Sequence, residues 1–551
     1  MTIERLSPTD RLMLLADDIW PQEIGALAVL DGNGLWSADG ELQIEDLRRR
    51  IVSRLPLVPR LRQVILRPAP LYGGPLWADA RRFDIAEHVR VAEVAAPGGD
   101  DQLLACVERL RRRRLDPARP GWEMWFLTGL PRHEVGLFVK IHHAMADGMA
   151  AMTILGAFLD RADAVAGLGA PAPWRPAPAP RRSDLVAAEI RGHLRRVAGA
   201  LGTLLHPRAT WLRLRGAMPA VRELLADAPP PPTSLDGVLG QDRRLAVMRC
   251  TTRELRSIGR AHDATANDVL LALIAGGLRA LLMHRGEPIE GVWAPIYVPI
   301  TMRRRWRGPV AGNRVAQMAI PLPLSVADPA ERLGRIAAAT AAGKLRDRSA
   351  VGKLFRSSIT TWLVLKAVDR QRVNVCSANI PGPRTPRFLL GSRVLEVAPI
   401  LPLIGTVSLG VGAISYAGDI NIGITADRDA FPDLDVFMRG MRQELDALRT
   451  RPLPLGPHEP GSAADDTPLN GPAQVFVVGS EHDDLVAHGR NGGEGRLQRS
   501  SFCPADPVRG RPDVTSAERN DPARHFQEVA DGPDERRWER LRGRGPREAI
   551  G

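Results

Sequence analysis

The sequence predicts an α/β protein of two mixed units, joined by a proline-rich linker with a helical connector and followed by a disordered tail. Three observations lead there. Strand-like apolar runs alternate with helical apolar spacing in residues 1–168 and again in 233–455. Residues 169–182, GAPAPWRPAPAPRR, carry alternating prolines that sustain neither a helix nor a central strand. From residue 456 to 551, Gly, Pro and charged residues take over, leaving too little apolar surface to offset roughly 1–2 kcal/mol of backbone entropy per ordered residue.

Each part has its own signal. With 551 residues, 44% hydrophobic and 25% charged, the chain has ample material for a core, which excludes a fibrous or wholly disordered protein. Residues 24–30 read as a strand, and Leu103, Leu104, Val107 and Leu110 as the buried stripe of a helix. Within the linker and connector, 169–232, residues 184–226 place Leu185, Ile190, Leu194, Val197 and Leu201 at spacings near three and four. Arg191, Arg195, Arg196, Arg213 and Arg215 lie among the apolar residues, and helices there should break at Pro207 and Pro219. The long uncharged stretch 397–414 is interrupted by Pro399, Pro402, Gly405, Gly410 and Gly412, which suits two buried strands and a loop better than a spanning helix.

The net charge is +12, and the tail, with 13 arginines against 17 acidic residues, contributes −4 of it, so the predicted folded part is the basic part. Lysine occurs only at Lys140, Lys344, Lys353 and Lys366, so the positive charge is nearly all arginine. A compositional preference for Arg, Ala, Gly and Pro accounts for this without a nucleic-acid partner, and none is expected. Four widely spaced cysteines make neither a disulfide framework nor a zinc ribbon. The start, MTIERLSPTDRLML, lacks the pattern of a secretory signal. The expected location is cytoplasmic, with peripheral contact at the inner face of the plasma membrane or at lipid droplets as an extension of that reading.

The chemistry concentrates in residues 134–160. An apolar β run over 135–141 is followed by His142, His143, Asp147 and Gly148, and then by a small-residue apolar helix over 149–159. A histidine between a strand end and a helix start can act as a general base near neutral pH, since its ordinary pKa is about 6.5. A buried structural pair is the alternative for His142 and His143. A metal would need a third ligand, and no HExxH or complementary cluster supplies one.

The whole string HHAMADG resembles the HHxxxDG motif of the bacterial wax ester synthase/diacylglycerol acyltransferase family, within the CoA-dependent acyltransferases marked by HxxxD. Further matches follow in order over residues 6–448. Residues 12–30 resemble the family's N-terminal strand region, and PLWADARRFDIAEHV contains Trp77, Phe83, Asp84 and His88. LDPARPGWE precedes the motif, with Gly121 where Leu is usual. ATANDVLLA carries Asn267 and Asp268, YVPITMRRRWRGPVAGN ends at Gly312 and Asn313, and SANIPGP holds Asn379, Pro381, Gly382 and Pro383, with Ala378 at a usual small hydroxyl position.

The resemblance implies two chloramphenicol-acetyltransferase-like α/β domains with the catalytic histidine in a channel between them. It makes His143 the base that activates an alcohol for attack on the thioester of acyl-CoA, which is a substrate; no cofactor is implied. The acceptor would be diacylglycerol or a long-chain alcohol. His142 would shape the site or share in catalysis, and Asp147 would hold the loop. Asn267 and Gly148 would bind substrate or the oxyanion, and Asp268, Asn379, Pro381 and Gly382 would be structural near the site. Read as residues alone, Asn267 is a helix cap, with Asp268 favoured by the helix dipole. A non-catalytic lipid-binding or lipid-droplet protein, and acyl transfer to a smaller non-lipid alcohol, are the competing functions.

Overall fold

A computed structural model of the chain describes residues 3–17, 19–69, 72–161, 174–205, 230–301, 315–345 and 373–450. Outside them lie the linker 162–173, the connector beyond residue 205 up to 229, Gly312 and Asn313, and the whole tail from 451.

The first lobe opens with α1 (Pro8–Asp17), β1 (Glu23–Leu30) and α2 (Ile44–Arg54). The antiparallel pair β2 (Gln63–Leu66) and β3 (Leu76–Asp79) follows, then a short α3 (Ile85–His88), β4 (Val89–Glu93) and α4 (Asp100–Arg112). It ends with β5 (Trp122–Thr128), β6 (Val135–His142), α5 (Gly148–Phe158) and β7 (Asp160–Arg161). Helix α6 (Arg182–Leu205) belongs to the connector. Residues 12–17, expected within a strand region, are the end of α1; the strand begins at Glu23.

The second lobe contains β8 (Arg243–Thr251), α7 (Thr252–Ala261), α8 (Ala266–His284), β9 (Ala294–Thr301), β10 (Val315–Leu322) and α9 (Pro329–Leu345). Strands β11 (Val375–Pro381), β12 (Arg387–Leu389), β13 (Ser392–Ile400), β14 (Leu409–Tyr416) and β15 (Asp419–Asp427) follow, closed by α10 (Leu434–Thr450). The stretch 397–414 does form two strands around a loop. Helix α8 is long and apolar enough to cross a membrane, but it is the buried centre of the second core, packed against α10.

Two mixed sheets organise these elements. The first runs β4-β5-β6-β1-β13-β12-β7 and the second β10-β9-β11-β14-β15-β8. The division of the sheets differs from the division of the chain at one place. Strands β12 and β13, numbered within the expected 233–455 unit, add to the first sheet, where β13 pairs antiparallel with β1 from Gly25↔Ile400 to Leu30↔Val394. Strand β1 has β6 on its other edge, so Glu23 faces His142 across the ladder. Arg249 on β8 fastens the lobes further, bonding Asp100 at the start of α4 and Glu396 on β13.

Candidate active site

Strand β6 is buried along its length until His142, its apolar run interrupted only by the buried Lys140. The chain then leaves the ladder at two fixed points. His142 N–H donates to Gly121 O at 2.8 Å, and His143 N–H donates to Gln22 O at 2.7 Å. The approach at Gly121 is tight: a Cβ there would stand 3.1 Å from His142 Cβ and 3.2 Å from Met145 Sδ.

The two histidines have different surroundings. His142 Nδ1 accepts from Ala144 N–H at 3.0 Å, which assigns the ring proton to Nε2, and Nε2 lies 3.5 Å from Asp17 Oδ1. Asp17 in turn accepts from Gln22 N–H at 2.7 Å and pairs with Arg114 at 2.7 Å. Burial raises the Asp17 carboxyl, but the bonds from His142 and Gln22 outweigh it and hold Asp17 below the usual carboxylate range. His142 thus fixes the loop through Nδ1, and its Nε2 faces the Asp17 carboxylate.

His143 is half-buried as a residue, and its Nδ1 is enclosed. Burial lowers its pKa below the ordinary value, opposed by a hydrogen bond to its own main chain and by the charge of Asp147. Burial thus favours the neutral, proton-accepting imidazole at His143.

Asp147 is buried and caps α5, its Oδ1 accepting from Ala150 N–H at 2.8 Å. Gly148 opens that helix where β11 comes close: a Cβ at 148 would stand 2.8 Å from Ile380 Cδ1. The residue before Ile380 is Asn379, whose Nδ2 donates to Asn267 Oδ1 at 3.3 Å. The structure therefore gathers the N-terminal ends of α5 and α8 at the C-terminal end of β11.

At α8 the expected cap is corrected. Thr265, not Asn267, is the N-cap; its hydroxyl accepts from Asp268 N–H at 3.2 Å while Asp268 Oδ2 accepts from Thr265 N–H at 2.9 Å. Asp268 also accepts from Thr340 Oγ1 at 2.7 Å, which ties α8 to α9. Asn267, one residue inside the helix, is left to meet Asn379. Pro381 ends β11, and Gly382 follows where a Cβ would lie 2.3 Å from Ser415 O, so only glycine lets the strand pass β14 so closely.

Sequence reasoning missed Asp17, Gln22, Arg114 and a buried pair beneath the histidines. Lys140, fully buried, donates to the carbonyls of Arg113 and Leu110 and lies 3.6 Å from Glu23 Oε2; Glu23 Oε1 accepts from Leu115 N–H at 2.8 Å. Burial lowers the Lys140 pKa and Glu23 opposes it. No local pattern announces the contacts of Asp17 with Arg114 and of Glu23 with Leu115 and Lys140, some ninety or more positions apart, whereas the T-x-x-D capping signature at Thr265 was there to be read. Among the described residues, no three His, Cys, Asp or Glu side chains converge to hold a metal ion.

Comparisons with known proteins find relatives of the chain and of its fold. A sequence model described as the wax ester synthase/diacylglycerol acyltransferase catalytic domain matches residues 6–270, and one described as the WS/DGAT C-terminal domain matches 311–449. The chain is 30% identical over 469 residues to a protein named probable diacylglycerol O-acyltransferase tgs1 in Mycobacterium tuberculosis, covering 81% of this chain and 96% of that one. Among solved structures, the wax ester synthase/diacylglycerol acyltransferase of Marinobacter aquaeolei VT8 superposes with a TM-score of 0.58 at 22% identity, over 81% of this chain and 99% of that one. A starter condensation domain of rhizomide synthetase RzmA, solved with C8-CoA, shares the fold with a TM-score of 0.51 at 13% identity, over 81% and 95% of the two chains.

Proposed function

Because the chain belongs to the wax ester synthase/diacylglycerol acyltransferase family, we propose that it transfers an acyl group from acyl-CoA to diacylglycerol, to a long-chain alcohol or to both, with His143 as the general base. The observation that carries the reading is the division of labour between the histidines: His142 Nδ1 is taken by Ala144 N–H and its Nε2 faces Asp17, and His143 is half-buried with burial favouring its neutral form.

In this mechanism His143 takes the hydroxyl proton as the alcohol oxygen attacks the thioester carbonyl carbon. A C–O bond forms, the C–S bond breaks, and the departing CoA sulfur receives the proton back from the imidazolium. Holding both substrates at one site supplies much of the acceleration, and no acyl-enzyme is needed. Asn267 suits the developing oxyanion, since Asn379 occupies its Oδ1 and leaves its N–H donors for another acceptor. Asp147 positions the loop through its cap. Acyl-CoA enters as a substrate, and the steps use this chain's own side chains.

Purified full-length protein given labelled acyl-CoA with diacylglycerol or hexadecanol tests the reading. Ester formation that disappears in His143→Ala supports it. Transfer only to small alcohols would reassign the acceptor, and no transfer to any alcohol would leave a lipid-binding protein.

A peripheral membrane or lipid-droplet location at the cytoplasmic face is part of the same proposal. Along α6, Val186, Ile190, Leu194 and Val197 are 37%, 55%, 63% and 44% exposed at spacings of four, four and three, with Arg191 and Arg195 close by. An apolar stripe bordered by arginines suits insertion at an anionic lipid surface. Flotation with anionic vesicles should weaken in Ile190→Glu/Leu194→Glu; unchanged flotation would move the contact elsewhere.

A further inference from the structure

Arg62 stands apart from the other partly or wholly buried arginines of the first lobe. Arg5 meets Glu189, Arg50 and Arg54 share Asp160, Arg60 bonds Glu4, and Arg111 meets Glu108. Arg62, only 8% exposed, has no carboxylate and no hydrogen-bond partner for its side chain among the described residues, and its Nε is fully enclosed. Its guanidinium lies instead against two aromatic faces, with Cζ 5.2 Å from the Trp174 ring centre and 6.0 Å from that of Phe83. Phe83 is backed by His88 at 5.0 Å, and His88 by Trp122 at 4.5 Å.

Cation–π contact offsets part of the cost of burying a guanidinium, but it leaves the N–H donors unused, and unpaired buried donors are expensive. Burial pushes the Arg62 pKa down with no acid to oppose it. Such a group is stabilised by an anion that arrives with a ligand, and a planar fork stacked on an aromatic ring suits the oxygens of a phosphate. The place is connected to the catalytic loop by two short bonds: Trp122 Nε1 donates to Leu61 O at 2.8 Å, and the preceding residue, Gly121, accepts from His142 N–H. One wall is the beginning of the connector, held there by Ala177 N–H donating to Asp79 Oδ2 at 2.9 Å.

We infer that Arg62, Trp174 and Phe83 form a phosphate-binding subsite. The inference rests on the acyl-CoA reading above: diacylglycerol and long-chain alcohols are uncharged, so within that reaction the phosphates belong to the CoA donor. A phospholipid headgroup at the membrane surface carries the same chemistry.

The test uses the full chain and Arg62→Gln, with Arg62→Lys to restore the charge without the fork. Steady-state rates are measured with palmitoyl-CoA and with palmitoyl-pantetheine, which lacks the phosphates, and CoA binding is measured by calorimetry. Losing a charge-assisted contact should raise KM for palmitoyl-CoA, and the Kd of CoA, by about 10- to 100-fold in Arg62→Gln. The pantetheine thioester should be untouched, and Arg62→Lys should lie between. If CoA binding is unchanged but binding to phosphatidylglycerol vesicles falls, the phosphate is that of a lipid headgroup. Equal loss on both thioesters, or no change in CoA and vesicle binding, overturns the subsite. A wild type that binds CoA through Arg62 yet acylates no alcohol would instead overturn the acyltransferase reading and leave the subsite standing.

Discussion

Asn379 on β11 donates its Nδ2 to Asn267 Oδ1 on α8, and the next residue of the same strand, Ile380, lies where a side chain at Gly148 would be. One strand of the second lobe thus aligns the two helix starts that carry the candidate chemistry. Asn267 then has a role that can be separated from helix capping. Asn267→Ala should lower kcat about 10²- to 10³-fold, the cost typical of a lost oxyanion donor, with a small change in stability. Thr265→Ala should do the reverse, costing about 1 kcal/mol in chemical denaturation while kcat holds. Equal kinetic damage in both variants would return Asn267 to a structural role.

Replacing the base has a bounded effect. His143→Ala should reduce kcat about 10²- to 10⁴-fold, with the melting temperature close to that of the wild type. His142→Ala should chiefly loosen the loop, because its Nδ1 bonds the main chain at Ala144 and its Nε2 faces Asp17. A larger loss of kcat in His142→Ala than in His143→Ala, with both variants folded, would reverse the assignment.

The pH profile follows from the direction of the His143 shift. Burial lowers its pKa, so the neutral, proton-accepting form persists below the ordinary value of about 6.5, and the acid limb of kcat/KM should fall below that pH. Stability has the same sign. Between about pH 6.5 and the lower folded value, the unfolded chain binds the extra proton, so stability is lost as pH falls through that window. His88, lowered by burial against its bond to Trp122 O, adds to the loss. Denaturation midpoints measured from pH 7.5 to 5 check it; a midpoint rising toward acid would contradict the shift.

The glycine after Pro381 is a steric requirement. In Gly382→Ala the new methyl would meet a backbone oxygen, Ser415 O, at 2.3 Å, so relief needs β11 or β14 to move. The expected cost is about 1–3 kcal/mol, read from chemical denaturation. Gly148→Ala should cost less in stability, because it meets the end of the flexible Ile380 side chain, yet it should disturb kcat by shifting the start of α5.

Part of this molecule follows from local rules along the chain. The apolar run ending in His142, the helix after Asp147 and the buried strands within 397–414 follow from periodicity and from the placement of proline and glycine, and the ordered string around HHAMADG identified the family. The remainder follows from how the chain packs on itself. That β13 leaves its own half of the chain to pair with β1, that Asp17 and Gln22 meet the two histidines differently, and that Arg62 is buried with no acid beside it among the described residues all depend on which distant residues meet. Such contacts depend on which surfaces the closed chain brings together, and no spacing along the sequence records that.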